Sequence, residues 1–204
     1  ESLFIGSLYW RYRMKSKDVL LVLTDLWADW EAAYAIAEIN SSEKYTVKTI
    51  AIDNKPKQSI GGIKAEVDLL IGEYFDFSHC ALIILPGGLR WKENDYHQII
   101  DFVKSGYEMN VPIAAICGAT QFLAKNGFLD EVYHTGDTFD YFKVLEGYKG
   151  HDKFQTKQVV MDNNIITANE TAAVEFAAQI FSLLKIDNNS EIDKWKNYYQ
   201  CGLF

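Results

Sequence analysis

The chain has 204 residues, 49% hydrophobic and 24% charged, which suits one ordinary α/β domain and excludes disorder, collagen repeats and disulfide mini-scaffolds. Lys and Arg number 20 against 28 Asp and Glu, a net charge of −8, the wrong sign for gripping nucleic acid or an anionic membrane. Three widely spaced cysteines, Cys80, Cys117 and Cys201, build neither a disulfide framework nor a CxxC metal site and fit a reducing cytoplasm. The apolar run near the N-terminus lacks a basic leader before it and is too short for a bilayer span, so residues 1–16 are expected to be an extension.

Asp18 to Thr24 is a short continuous apolar run, the pattern of a strand buried on both faces. Trp30, Ala33, Tyr34 and Ala37 fall at i, i+3, i+4 and i+7 and predict a helix over about 30–39. Tyr45 to Ile52 follows as a strand, and Gly61-Gly62 predicts a small hairpin or bulged excursion. Cys80 to Leu85 is a further buried strand, stopped by Pro86-Gly87-Gly88. A helix is expected over 96–110, a strand over 111–116, a strand pair around Asp162-Asn163-Asn164, and a closing helix carrying Val174, Ala177, Ala178 and Phe181.

This alternation predicts a doubly wound, mostly parallel sheet with helices on both faces, spanning residues 17–186. A helical tail over 187–204 would carry Ile192, Trp195 and Tyr199. Ligands of such sheets bind at the carboxyl ends of the strands, where Thr24, Pro86 to Gly88 and Cys117 fall.

Cys117 stands where a strand passes into helical spacing with no loop between, the pattern of a nucleophile elbow. Helix-end N–H groups at such a place favour thiolate, so a lowered thiol pKa is expected. A small buried hydrophobe is the alternative for a strand-end cysteine.

Four segments together resemble the ThiJ/PfpI superfamily: Ala28-Asp29-Trp30-Glu31, Ile84-Leu85-Pro86-Gly87-Gly88, Ala114 to Ala119, and Ile166 to Asn169 with Glu175-Phe176-Ala177. The resemblance implies a flavodoxin-like, class I glutamine amidotransferase-like fold, and His134-Thr135-Gly136-Asp137 looks like the PfpI branch of intracellular cysteine peptidases. It further implies Cys117 as nucleophile and Glu31 as a protonated carboxyl beside the sulfur. Gly87 and Gly88 become backbone oxyanion donors, with Gly118 N–H assisting. A small carbonyl compound or peptide is the implied substrate, and a homodimer the implied assembly. No cofactor or metal is expected.

Two departures narrow the reading. Protease-like members carry histidine directly after the cysteine, whereas this chain has Gly118. Glutaminase members place a His-x-Glu pair near the last strand, and Thr167-Ala168-Asn169-Glu170 has none. His134 is the candidate for a substitute base, with a structural histidine as the alternative and Asp137 as the other position the family histidine could fall opposite. Two functions remain open: a PfpI-type hydrolase, with small-aldehyde glyoxalase or deglycase chemistry as its variant, and a redox or stress-response protein that senses oxidants through Cys117.

Overall fold

The computed structural model describes residues 16–92 and 96–202, so the predicted N-terminal extension lies almost wholly outside the described residues. Seven strands form one sheet in the order β5-β2-β1-β6-β7-β9-β8. These are β1 Lys17–Val22, β2 Tyr45–Ala51, β5 Leu69–Leu70, β6 Cys80–Leu85, β7 Ile113–Ile116, β8 Val159–Asp162 and β9 Ile165–Ala168. Every neighbouring pair is parallel except β8 with β9. The Gly61-Gly62 excursion is a separate two-stranded ribbon, β3 Lys57–Gln58 against β4 Lys64–Ala65.

The apolar runs of β1, β6 and β7 are continuous because both faces of the sheet are covered. On one face Leu20, Val22, Ile83, Leu85, Ile113 and Ala115 form a core with Ile99, Phe102 and Val103 of α2 (His97–Glu108) and with Phe122 and Leu123 of α3 (Gly118–Lys125). On the other, Val19, Leu21, Leu82, Ile84, Ala114 and Ile116 pack against Ala32, Ala35 and Ile39 of α1 (Asp29–Ser41) and against Phe176, Ala177 and Ile180 of α5 (Ala173–Leu184). The short helix α4 (Phe139–Lys143) was not foreseen, since five residues are too few to show a period.

The segment after Ile186 forms α6 (Asn189–Cys201), whose first turn is capped by the Asn188 side chain accepting from Glu191 N–H. Ile192 is buried, and Trp195 meets Phe181 edge-on at 4.8 Å while its indole N–H donates to Glu38 at 3.1 Å. Trp195 therefore fastens α6 to both α1 and α5. Trp195→Ala is expected to lower the unfolding free energy by about 2 kcal/mol in denaturant titration, from lost apolar area and one lost hydrogen bond. The exposed neighbour Tyr198 should cost under about 0.5 kcal/mol when truncated.

Candidate active site at the carboxyl ends of the central strands

Cys117 is the single residue between β7 and α3, with φ 55° and ψ −129°, a conformation that costs a non-glycine residue about 1–3 kcal/mol. Its surroundings hold it there. Its N–H donates to Ala168 O at 2.9 Å, while its carbonyl accepts from the N–H of Thr120 at 2.9 Å and from its hydroxyl at 2.6 Å. The abrupt turn leaves the side chain only partly buried, beside Gly87 in the loop that follows β6.

Glu31 lies in the first turn of α1, yet it is only 1% exposed. Its Oε2 accepts the Gly87 N–H at 2.6 Å, and its Oε1 is buried without a hydrogen-bond partner. Gly87 is wedged between this carboxyl and the cysteine: a Cβ there would strike Glu31 Oε2 and stand 2.7 Å from Cys117 Cβ. Only glycine permits that approach. The structure thus brings Glu31, Gly87 and Cys117 together, but it corrects the role expected of one of them. The Gly87 N–H is spent on the carboxyl group and is not free to hold an oxyanion.

His134 also requires correction. It is 0% exposed, its Nδ1 lies 2.7 Å from Val132 O and its Nε2 2.7 Å from the Tyr148 hydroxyl, and its ring packs against Phe142, Tyr148 and Phe154. Burial lowers its pKa, with Val132 O and Asp130 pulling the other way, so the ring stays neutral. Both nitrogens are engaged inside an aromatic nest, which leaves neither for the sulfur.

The group that reaches the sulfur from this segment is Asp137, three residues on. Thr135 pins the strap to the sheet, its N–H donating to Thr167 Oγ1 at 2.9 Å and its hydroxyl to Lys157 O at 2.6 Å. Asp137 Oδ2 consequently stands 3.6 Å from Cys117 Sγ and 3.4 Å from Gln121 Nε2. The family resemblance implied only that the family histidine could fall opposite Asp137. The fold supplies the rest, by tying Thr135 to β9. Gly118 has its own steric reason: a Cβ there would stand 3.2 Å from Gly88 O and 3.6 Å from Trp91 Cδ1, so a side chain after the cysteine would press on the loop after β6.

The ionisation of the cluster follows from burial and like charge. Burial pushes the Glu31 carboxyl up to about 7; contacts with Cys117 and with Gly87 N–H pull it down, and the charges of Asp137 and Glu170 push it up. Burial also pushes Asp137 up to about 6, helped by a hydrogen bond that its protonated form gives to the Glu170 side chain and by the charge of Glu170. Cys117 is raised as well, by burial first and then by the Glu31 and Asp137 carboxylates, against the Gly118 N–H, which favours the thiolate. The lowered thiol expected from the helix end is therefore reversed: one N–H is outweighed by desolvation and two acids. Among the described residues no group of three His, Cys, Asp or Glu is arranged to hold a metal ion.

A family model, the DJ-1/PfpI family, matches residues 17–183. The chain belongs to the DJ-1/PfpI family. It is 38% identical over 188 residues to a Bacillus subtilis protein named uncharacterized protease YdeA, covering 92% of this chain and 93% of that one. A second Bacillus subtilis protein, uncharacterized protease YoaZ, is 32% identical over 190 residues and is covered to 90%. The crystal structure of a ThiJ/PfpI family protein from Bacillus anthracis superposes with a TM-score of 0.84 at 30% identity, with 93% of each chain covered. The doubly wound, mostly parallel architecture is thus the fold of this family. Among the described residues no helix is long and apolar enough to cross a membrane.

A structural role for His134 gives a measurable outcome. Tyr148→Phe leaves Nε2 buried without its partner and should lower the unfolding free energy by about 1–3 kcal/mol. The reactivity of Cys117 toward an alkylating reagent, measured on the folded variant, should not change.

Proposed function

We propose that this member of the DJ-1/PfpI family is a cysteine-dependent hydrolase of the PfpI type, in which Cys117 attacks a carbonyl carbon with Asp137 as its general base and Glu31 as a proton donor. The observation that carries the reading is the placement of Asp137 Oδ2 at 3.6 Å from the sulfur of a residue held in a strained elbow. The protease names of the two Bacillus relatives agree with it at the level of reaction class.

A raised thiol is not available as resting thiolate at neutral pH, so its proton must leave as the bond to carbon forms. Asp137, raised to about 6, is mostly ionised at pH 7 yet basic enough to accept that proton. The S–C bond forms as the carbonyl π pair moves to oxygen, and the S–H proton passes to Asp137. Glu31 accepts an N–H at Oε2, so its own proton belongs on Oε1, the unpartnered atom. That O–H, with the Gly118 N–H and Gly88 N–H, supplies donors for the developing oxyanion. Collapse expels the leaving group with the proton held by Asp137. Water, deprotonated by the same carboxylate, then cleaves the thioester and restores the thiol. An aldehyde substrate would use the same first step, with a hemithioacetal as its first intermediate.

Oxidant sensing draws support from the same unpartnered Glu31 Oε1, which could donate to a sulfinate oxygen. It is the weaker reading, because peroxide reacts with thiolate and burial suppresses the thiolate here.

With p-nitrophenyl acetate and methylglyoxal as probes, Cys117→Ala should abolish turnover and Asp137→Asn should reduce kcat by about 10²-fold or more. The kcat/KM profile should be a narrow bell, rising as Asp137 ionises near 6 and falling as Glu31 loses its proton near 7. Full activity in Asp137→Asn, or selective addition of two oxygens to Cys117 by mild peroxide without turnover of either probe, would defeat the proposal.

A further inference from the structure

We propose a second small-molecule site, for a neutral polyhydroxylated ligand of the sugar or polyol class, in the cavity at the carboxyl ends of β1 and β2. The cavity has a volume of about 420 Å³, within the range of about 300–1,000 Å³ usual for small-molecule sites. It lies outside the machinery assigned to Cys117, and none of that cysteine's partners lines it.

Two buried polar groups meet there without a full set of partners. Thr24 is 4% exposed, and its hydroxyl oxygen is buried with no hydrogen-bond partner. Such a group costs about 1–3 kcal/mol and calls for an explanation. Lys57 is also 4% exposed, although it carries an ammonium with three donors. One of the three is accounted for by Asp53 Oδ1 at 2.9 Å. Both side chains line the same cavity.

The location is one where open α/β sheets bind ligands. β1 lies between β2 and β6: the chain runs outward from β1 through β2 to β5 on one side, then crosses to β6 on the other, which makes this end a topological switch point. The turn that follows Thr24 is fixed in advance. Leu26 has φ 56°, a strained value for leucine, and is held by its N–H to Gln58 O at 2.7 Å and its carbonyl from Leu89 N–H at 3.1 Å.

The charges select the ligand. Asp25 and Asp53 oppose the one ammonium of Lys57, a net −1 at the cavity, which repels carboxylates and phosphates. An ammonium ligand would meet Lys57. Hydroxyl groups suit all of these at once, donating to the two carboxylates, accepting from Lys57 and pairing either way with Thr24. Ile52, Ile99 and the Tyr96 ring offer apolar surface to the C–H face of such a molecule.

Titration of the whole ¹⁵N-labelled chain with D-ribose tests this by amide shifts. Saturable shifts confined to 23–25 and 52–57 are expected, retained in Cys117→Ala and weakened about tenfold in Thr24→Val, the loss of one hydrogen bond to ligand. Asp25→Asn, at an exposed position, should weaken binding likewise and serves if Thr24→Val does not fold. The proposal is overturned by the absence of saturable shifts, by shifts that persist unchanged in both variants, by shifts centred on Cys117 and lost in Cys117→Ala, or by equal saturable shifts with sodium acetate or phosphate.

Discussion

The hydrogen bond from Gly87 N–H to Glu31 Oε2, 2.6 Å long and out of contact with water, is the constraint on which the site depends. It ties the first turn of α1 to the loop after β6, and it sets the carboxyl group against the sulfur that β7 delivers. Because Oε2 accepts that bond, the other oxygen is left to carry a proton into the site. Burial makes that proton hard to remove. Holding Glu31 at about 7 instead of its ordinary 4.5 means that the folded chain loses stability as pH rises through that interval, by about 3 kcal/mol at most. The cost is of the kind that functional sites impose on the fold that carries them.

Two acids, Glu31 and Asp137, act on one thiol, and the charge of Glu170 acts on both of them. Burial first, and like charge after it, raises Glu31 to about 7 and Asp137 to about 6, so the pair offers both an acid and a base near pH 7 without a histidine. It also explains why the sulfur rests as a thiol. A helix N-terminus contributes one favourable N–H, and burial of the sulfur, joined by the charge of the neighbouring acids when they are ionised, exceeds it. In the proposed reaction the strained elbow presents the sulfur, and the Asp137 carboxylate takes its proton as the carbonyl is attacked.

The sheet was legible because buried parallel strands are written as unbroken apolar runs, as in Cys80–Leu85, and amphipathic helices as spaced ones. The elbow at Cys117 was legible for a related reason: Ile116 and Gly118 leave no residues for a loop. What sequence could not show is where side chains point. His134 and Asp137 are three residues apart, yet the one closes into an aromatic nest with Tyr148 while the other turns to the sulfur. That outcome is decided by the Thr135 to Thr167 bond, between residues 32 apart in the chain. Likewise nothing local to Gly87 reveals that its N–H is claimed by a helix 56 residues earlier. Thr24 was visible as a strand-end residue, but its missing partner appears only once the cavity beside it has walls.

The most direct test of the account is a ¹³C NMR titration of the side-chain carboxyl groups, with Glu31 assigned by its disappearance in Glu31→Gln. A resonance that titrates near pH 7 in the wild-type chain, well above the exposed glutamates, is the result the account requires. A Glu31 resonance that titrates near 4.5 would contradict it, because a carboxyl already charged at neutral pH has no proton to give and would only repel the sulfur beside it.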